Sequence, residues 1–179
     1  IGFGNAFFTI FSNFNQKIEI LKSYNIDFII NKKFDKKFSK TKYTNFIKNF
    51  LYKKIKPRYI FVSDNFRFGN KREGDVSSLK QFEKVYGYKI INPSPLKKNL
   101  KIVSSTLIRK YLSEGKIKVA NKYLDRNWSI EGLVKIGRRM GRQIGFPTCN
   151  IDIGDYIISK PGVYSVNCLL YTSDAADEQ

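Results

Sequence analysis

The sequence predicts an α/β fold in which an open parallel sheet is followed by a smaller, β-rich module. In the first part of the chain, apolar runs of strand length alternate with helical patterns, which favours parallel strands joined by helical crossovers. Beyond Arg126 the hydrophobic period changes to two, as in a half-buried strand. We therefore expect one domain at residues 1–125, a second at 126–167 and an atypical tail at 168–179.

Three strands are expected in the first third of the chain. They are Ala6–Phe11, Phe28–Asn31 and Tyr59–Ser63, each short and rich in residues that suit sheets. A helix that starts at Ser12 or Asn13 joins the first two strands. The helix before the third strand follows the i, i+3, i+4, i+7, i+8 template with Tyr43, Phe46, Ile47, Phe50 and Leu51.

The alternation of helices and strands continues through the next elements and ends before the β-rich module. A helix that starts at Asp75 or Ser77 precedes a fourth strand at Tyr88–Ile91, and two further helices follow. Apolar residues then alternate with polar or small ones, first at Trp128, Ile130, Val134 and Ile136, and again in a last strand at Gly162–Leu169. The change of period marks the predicted domain boundary.

The composition indicates a packed and strongly basic protein. Hydrophobic residues make up 42% and aromatic residues 15% of the chain, which argues against disorder, and no apolar run approaches the ~20 residues of a membrane span. The net charge of +18 is compatible with nucleic-acid binding, but the lysines are spread along a Lys/Asn/Ile-biased chain rather than gathered in one stripe. The absence of histidine excludes His-based catalysis within these residues. Cys149 and Cys168 lack metal-ligand spacing, so we expect reduced thiols in a cytoplasmic protein.

The loop after the third predicted strand, residues 64–75, is the first candidate binding site. Ligands of open α/β sheets lie beyond the carboxyl ends of the strands, and this loop carries two aromatics, two glycines and two arginines. Phe66 and Phe68 either anchor the loop on the core or, with Gly69, shape a pocket for a flat ring such as adenine or isoalloxazine.

Hydroxyl residues at 104–106 precede the next predicted helix. An ordinary N-cap explains Ser and Thr at this place. Alternatively, the free N–H groups and the dipole of the helix bind a phosphate next to Ser105 and Thr106, with Arg109 one turn later. These residues alone leave both interpretations open.

The third candidate is the segment Gly137–Asn150, GRRMGRQIGFPTCN, in which glycines recur every four residues. Such glycines permit a close backbone approach, N–H groups of the loop can cradle phosphate oxygens, and the arginines add positive charge. In an extended segment, Thr148 and Asn150 face the same side and offer two hard oxygen ligands for Mg²⁺ on a nucleotide. A basic surface hairpin with glycine turns is the alternative.

These three segments resemble, in order, motifs of the bifunctional bacterial riboflavin kinase/FAD synthetase family. The last one resembles the riboflavin kinase signature G-x3-G-x3-G-F-P-T-x-N, with Cys149 where the family usually has Ala. The loop at 64–75 resembles the family's G-(D/E/Y)-(D/N)-F-x-F-G-x-x-R-x-G-D stretch, with Ser63 where Gly is common, and residues 104–109 match S-S-T-x-x-R. The resemblance extends from about Phe8 to Val166. It implies a Rossmann-like nucleotidyltransferase domain followed by a truncated β-barrel kinase domain, and we expect residues 168–179 not to be native family sequence.

The resemblance also implies roles for the matching residues. Thr148 and Asn150 would bind Mg²⁺ and the phosphates of ATP while riboflavin is phosphorylated to FMN. Ser105 and Thr106 would bind the phosphates of a second ATP, and Arg109 would stabilise charge on them, while FMN is adenylylated to FAD. Nucleotide or flavin contacts are implied for Asn65, Phe66, Phe68, Gly69, Gly137, Gly141, Arg142, Gly145, Phe146 and Pro147.

Two parts of the family's machinery are not found in this sequence. The H-x-G-H phosphate motif is absent, since the chain has no histidine, and the catalytic carboxylate of the kinase comes from farther along its barrel. We expect both parts to lie outside these residues and the chain alone to show little or no turnover. The alternatives are an adenylyltransferase for another acceptor, a non-catalytic basic nucleic-acid-binding module and a flavin-binding module without catalysis.

Overall fold

A computed structural model describes residues 9–138 and 140–171 of the chain. The chain divides into two compact units. The sheet unit is Asn15–Ser104, and the helix–loop unit combines the described residues of 1–14 and 105–179. The helices after Ser104 therefore group with later residues in space, whereas the predicted first domain extends to residue 125.

The sheet unit is a mixture of short helices and strands. Its helical segments are α1 (Phe14–Ser23), α2 (Lys36–Ser39), α3 (Tyr43–Asn45), the π-helix Phe46–Ile55, the 3₁₀ turn Asn70–Arg72, α4 (Val76–Gln81) and α5 (Glu83–Tyr86). Its strands are β1 (Tyr59–Phe61), β2 (Lys89–Ile91), β3 (Lys97–Lys98) and β4 (Lys101–Ile102). β1 and β2 are parallel neighbours, with Tyr59 opposite Lys89, whereas β3 and β4 form an antiparallel pair. The third and fourth predicted strands are therefore confirmed, and they pair in the predicted direction.

The core of the sheet unit gathers residues from the π-helix, the loop after β1, α4, and β2 with the residue before it. Its buried residues are Ile47, Phe68, Leu79, Tyr88 and Ile90. Leu79 of α4 is 1% exposed, and the Tyr88 hydroxyl donates a hydrogen bond of 2.7 Å to the Leu79 carbonyl. This bond satisfies the phenol in otherwise apolar surroundings. Phe82 and Tyr86 pack against the same cluster.

Helix α4 begins with a capping box. The Asp75 carboxylate accepts a hydrogen bond of 2.8 Å from the Ser78 backbone N–H, and the Asp75 N–H donates to the Ser78 hydroxyl at 3.3 Å. The bond from the Ser78 backbone is also the main reason that the pKa of Asp75 lies below its ordinary value. Of the two predicted starting residues, Asp75 is the N-cap.

The helix predicted around Phe46 forms, but most of it is not α-helical. A single α-helical turn, α3, continues as the π-helix, which ends with a 2.7 Å bond from the Lys56 N–H to the Leu51 carbonyl, five residues back. Ile47 is fully buried, and Phe46 stacks on Phe50 with 5.3 Å between ring centroids. Hydrophobic periodicity predicted the helix and its buried face correctly, but it does not distinguish an α-helix from a π-helix, because both bury one face.

The strand predicted at Phe28–Asn31 is wrong. The segment has no regular secondary structure, and Phe28 is 89% exposed. A strand needs a hydrogen-bonded neighbour and a surface to pack on, and a four-residue apolar run specifies neither. Of the first predicted strand, residues 6–8 lie outside the described part of the chain, and Ile10 forms an isolated bridge to Tyr156. The helix predicted to follow is confirmed as α1.

The helix–loop unit is built on a pair of helices. Its elements are α6 (Ser105–Ser113), α7 (Ile117–Leu124), β5 (Val134–Lys135), α8 (Met140–Gln143) and β6 (Asn150–Ile151). Leu112 and Ala120 are fully buried, and Tyr111 stacks on Tyr123 with 5.4 Å between centroids. Both predicted helices are therefore confirmed. No helix within the described residues has the length and apolar character needed to cross a membrane.

Residues 9–13, here called the opening segment, are bound to parts of the helix–loop unit far along the chain. The Ile10 N–H donates to the Asp155 carbonyl at 2.9 Å, and the Ile10 carbonyl accepts from Ile157 at 2.8 Å. The Trp128 indole N–H donates to the Phe11 carbonyl at 3.0 Å. Arg126 donates at 2.8 Å to the hydroxyl of Ser12, which is 3% exposed. The opening segment is therefore a structural part of this unit.

The β-rich module is less regular than predicted. β5 and β6 pair antiparallel, with Lys135 opposite Asn150, so the strand predicted to begin at Trp128 is reduced to two residues. The strand predicted at Gly162–Leu169 is wrong, since this segment has no regular structure and Val163 is fully exposed. No closed barrel is present in the part of the chain that the structure describes. Barrel closure needs two neighbours for every strand, and alternation within one strand does not provide them.

Candidate functional sites

The loop that follows β1 is fixed to the core by its aromatic residues. Phe68 is 9% exposed, stacks on Phe66 at 5.5 Å and meets Tyr43 edge-on at 6.4 Å. Phe68 and Gly74 exchange two backbone hydrogen bonds of 3.0 and 2.9 Å, which close the loop on itself. The anchoring interpretation of Phe68 thus agrees with its burial, and its role in shaping a flavin pocket stays a prediction.

The two other predicted residues of this loop differ in their surroundings. Gly69 is half-buried against α3, where an added Cβ would lie 2.8 Å from the backbone nitrogen of Tyr43. Only glycine allows this approach. Asn65 is exposed, and its side-chain oxygen accepts a hydrogen bond of 2.8 Å from the Ser63 hydroxyl. Of the four predicted residues of this loop, Asn65 is the exposed one, and a ligand in solvent can reach it.

The predicted phosphate motif lies in the first turn of α6. Ser105 and Thr106 are both exposed there, as a phosphate site at a helix N-terminus requires. Arg109, one turn later, is half-buried: its Nε–H donates to the Thr9 carbonyl at 3.0 Å and its guanidinium lies 5.5 Å from the centre of the Phe11 ring. Arg109 therefore has a structural contact with the opening segment that the sequence did not suggest. The motif belongs to the helix–loop unit, whereas Asn65 belongs to the sheet unit.

The glycine-rich segment surrounds a pocket of about 220 Å³, here called the glycine pocket. Thr148 and Asn150 both line it, and so do six further residues from the predicted segment and from the chain just before it: Val134, Lys135, Ile136, Gly137, Arg142 and Pro147. Gly145 and Phe146 are exposed in the turn that precedes Pro147. The hydroxyl and the amide predicted as metal ligands therefore share one cavity, on a loop with a nearby guanidinium.

Two glycines touch these ligands directly. An added Cβ at Gly137 would lie 2.0 Å from Asn150 Nδ2 and 3.8 Å from Asn150 Oδ1, so the amide nitrogen is the atom that faces the glycine. An added Cβ at Gly141 would lie 2.2 Å from the Phe146 carbonyl oxygen and 3.3 Å from the Thr148 hydroxyl. Close contacts across the loop thus explain Gly137 and Gly141, whereas Gly145 is explained by its φ of +82°.

The predicted metal ligands in the glycine pocket, Thr148 and Asn150, offer neutral oxygen atoms. Among the described residues, no cluster of three or more His, Cys, Asp or Glu side chains could hold a metal ion. One hydroxyl and one amide oxygen fit Mg²⁺ only when phosphate oxygens complete its coordination, because Mg²⁺ keeps an octahedral set of hard ligands. The chemistry of this donor set therefore fits a nucleotide-bound cation rather than a free one.

Lys135 is a pocket residue that the sequence did not single out. It lines the glycine pocket, and its ammonium lies 2.6 Å from the Asp152 carboxylate. The hydrogen bond from Lys135 is the largest cause of the lowered pKa of Asp152, followed by the Gly154 N–H. A signal was present: Lys135 occupies a polar position in the alternating pattern, and β5 sets it opposite Asn150.

Two family models match the chain, one after the other. The FAD synthetase model matches residues 4–107, and the riboflavin kinase model matches residues 124–176. The second match ends inside the tail predicted to be atypical, and the origin of that tail stays a prediction.

Relatives named bifunctional riboflavin kinase/FMN adenylyltransferase match most of the chain. The relative from Buchnera aphidicola subsp. Schizaphis graminum is 42% identical over 84% of this chain and 49% of its own length. The relative from Escherichia coli K12 is 31% identical over 86% of this chain and 49% of its own length. The chain thus spans about half the length of these relatives.

A solved structure described as a macrolide-efflux protein from Streptococcus pneumoniae has a similar fold. Its TM-score is 0.73 at 24% identity, over 88% of this chain and 50% of that one. The likeness concerns the fold alone. Together, the ordered matches and the relatives at 31–42% identity lead to one conclusion. The chain belongs to the FAD synthetase family, and it continues into a riboflavin kinase match.

Proposed function

We propose that this chain carries nucleotide and flavin sites of a bifunctional enzyme that makes FAD from riboflavin. The first reaction transfers a phosphoryl group from ATP to riboflavin and gives FMN and ADP. The second transfers AMP from another ATP to FMN and gives FAD and pyrophosphate. Support comes from the order of the two family matches and from the names of the relatives. On this proposal, residues 1–125 are a Rossmann-like adenylyltransferase domain and residues 126–167 belong to a kinase barrel.

The observation that carries the proposal is the shared pocket of Thr148 and Asn150. Their oxygens would hold Mg²⁺ together with the phosphates of ATP, and Arg142 would bind a phosphate oxygen from the same pocket. When bound, Mg²⁺ supplies charge neutralisation on the transferring phosphate. The loop itself positions the nucleotide: Gly137 and Gly141 admit the ligand side chains and keep the backbone close enough for its N–H groups to reach phosphate oxygens.

For the adenylyl transfer step we propose roles for residues of α6 and, separately, for a residue of the loop after β1. Exposed Ser105 and Thr106 would bind phosphates of the second ATP with the help of the helix dipole. Arg109 would stabilise negative charge there, and its bond to the Thr9 carbonyl would fix the side chain in place. Asn65 would contact the nucleotide or the flavin.

Magnesium-dependent ATP binding tests the kinase assignment. We would titrate the chain with ATP by calorimetry in Mg²⁺ and again in EDTA. Thr148→Val removes only the hydroxyl, and Asn150→Ala removes the amide. Each change should weaken the magnesium-dependent part of binding by roughly tenfold or more, because one such ligand interaction is worth about 1.4 kcal/mol or more. Riboflavin fluorescence in the same samples would report flavin binding.

Cys149→Ala is the matched control, since Cys149 lies between the two proposed ligands and does not line the pocket. It should bind ATP as the unaltered chain does. Equal affinities for all variants would contradict the assignment. Strongly salt-dependent oligonucleotide binding, without flavin binding, would instead support the basic nucleic-acid-binding module.

A further inference from the structure

A second pocket, of about 540 Å³, lies in the sheet unit at the amino ends of β1 and β2. Arg58 directly precedes β1, and Gly87 and Tyr88 directly precede β2. The Lys89 N–H donates to the Arg58 carbonyl at 2.9 Å, which ties the starts of the two strands together. The strands are parallel, so this pocket lies at the opposite end of β1 from the loop at 64–75. We call it the amino-end pocket.

The charge of the amino-end pocket has one sign. Lys53, Lys56 and Arg58 line it, and no Asp or Glu is among its lining residues. Three cations around one concave space attract an anion more strongly than the same charges on separate faces. The chain as a whole carries +18, but the convergence of three cations on one pocket is a local feature.

Backbone geometry keeps the pocket open where the chain turns into each strand. Lys56 ends the π-helix with φ +52°, a left-handed conformation that is unfavourable for a non-glycine residue and that turns the chain towards β1. Gly87 ends α5 with φ +71°, and an added Cβ there would meet no atom within 4 Å. The space beside Gly87 is therefore empty of protein atoms.

Two stacked tyrosines form an aromatic wall. The rings of Tyr52 and Tyr86 have centroids 4.5 Å apart and an interplanar angle of 27°. Tyr52 is 44% exposed although it is a large ring next to the pocket. A partly exposed stacked ring suits the face of a nucleobase, and base–aromatic stacking tolerates any base.

We infer that the amino-end pocket binds a metal-free nucleoside di- or triphosphate, with the phosphates on Lys53, Lys56 and Arg58 and the base against Tyr52. The volume is in the usual range for small-molecule sites. Magnesium would weaken this binding, because it neutralises the phosphates and the lining offers no carboxylate to hold the ion. The inference is independent of the proposed function, whose ATP site requires Mg²⁺.

The test is an NMR titration of the ¹⁵N-labelled chain with ATP in EDTA. Saturable shifts are expected for the amides of Lys56 and Gly87, and they should weaken several-fold when Mg²⁺ is added. Lys56→Gln with Arg58→Gln should abolish them. Lys48→Gln with Lys80→Gln removes the same charge from exposed positions outside the pocket and should retain them. Unchanged signals of Leu79 and Ile90 would show that each variant is folded; if the first pair misfolds, Lys53→Gln replaces it.

Each of the following results would overturn the inference. One is the absence of saturable shifts at both amides, and another is an equal loss in the two double variants, which would reduce the effect to total charge. The third is equal binding of inorganic triphosphate and ATP, or equal ATP binding by Tyr52→Leu, which would exclude a base contact. Tighter binding of a short single-stranded RNA at these amides would likewise replace the nucleotide by a nucleic acid.

Discussion

At Gly141 the absence of a side chain decides the shape of the glycine pocket. The point where a Cβ would stand is 2.2 Å from the Phe146 carbonyl oxygen, a backbone atom that cannot rotate away. The Phe146 N–H also donates to the Gly141 carbonyl at 2.7 Å, so the two residues hold the turn from both sides. Gly137 is different, since its neighbour is the side chain of Asn150, which can move at the cost of its orientation.

Gly141→Ala is therefore expected to displace the turn and to weaken magnesium-dependent ATP binding by roughly tenfold or more, a loss of about 1.4 kcal/mol. Calorimetry in Mg²⁺ measures the effect. Gly154→Ala is the control, because a Cβ there meets no atom within 4 Å and the residue lies outside the pocket, although its φ of +48° means that alanine lowers stability by about 1–2 kcal/mol. Wild-type affinity in the Gly141 variant would show that the turn does not form the site.

Tyr88, directly before β2, is hydrogen-bonded to Leu79 of α4, and its titration lowers the stability of the sheet unit at alkaline pH. Burial, with a smaller contribution from Glu83, raises the pKa of Tyr88 from 10.0 to about 12. The unfolded chain loses this proton first as pH rises, so the contribution is complete below about pH 10 and is lost as pH approaches 12.

Tyr88→Phe should cost about 1 kcal/mol at pH 8, where the bond to Leu79 is lost. It should also remove part of the fall in stability between about pH 10 and 12. Urea unfolding of the unaltered chain and of the Tyr88 variant at pH 8, 10 and 11.5 measures how the free energy of unfolding of each depends on pH. The control is Tyr24→Phe, which changes an exposed tyrosine. Parallel pH profiles for all three proteins would contradict the assignment.

The capping box of α4 makes the stability of the sheet unit depend on pH in the acid range. The pKa of folded Asp75 lies below its ordinary value of 3.8, so its stabilising contribution is present above that pH and is lost as pH falls through the folded value. Asp75→Asn should flatten the acid side of the stability profile between about pH 5 and 2, and Asp27→Asn, an exposed carboxylate, should not. Circular dichroism at a series of pH values measures the midpoint for each. An unchanged midpoint of acid unfolding in the Asp75 variant would contradict a pH-dependent contribution of the capping box.

Elements with local signals were the ones that the sequence predicted well. Asp75 and the apolar face of α4 are encoded within one turn, and the strands at Tyr59 and Tyr88 have clear boundaries. The strand predicted at Phe28–Asn31 does not form, because strand formation depends on a distant partner. The π-helical hydrogen bonding could not be predicted, because the side-chain pattern does not encode the hydrogen-bond register. At the candidate sites, the spacing of Thr148 and Asn150 predicted that the two side chains face the same side, and both line the glycine pocket; their role as ligands stays a prediction. Lys135 was missed because its approach to them depends on pairing between β5 and β6.

At the scale of the whole molecule, the helix–loop unit is discontinuous in sequence. The opening segment supplies backbone acceptors to Arg109 and Trp128 and a buried hydroxyl to Arg126, all about a hundred residues or more away. The sheet unit, in contrast, is one continuous stretch. The helix–loop unit therefore depends on contacts that span the length of the chain.

Ser12→Ala should destabilise the helix–loop unit selectively. It leaves the Arg126 guanidinium without its 2.8 Å acceptor, at a cost of about 1–2 kcal/mol. Hydrogen exchange should accelerate in α6 and α7 and stay constant in β1 and β2. Ser39→Ala, whose hydroxyl bonds only within its own turn at 2.9 Å, should leave α6 and α7 unchanged. Equal acceleration in both units would mean that they unfold together.

The discontinuity has a consequence for synthesis on the ribosome. The sheet unit is one continuous stretch that ends at Ser104, so all of its residues have been made once Ser104 has emerged. The backbone hydrogen bonds of Ile10, however, cannot form until Asp155 and Ile157 have been made. Its backbone groups therefore meet only water or transient partners until almost 150 further residues have been added. Nascent chains stalled before and after residue 157 should differ in protease resistance at the opening segment, while the sheet unit is already protected in both.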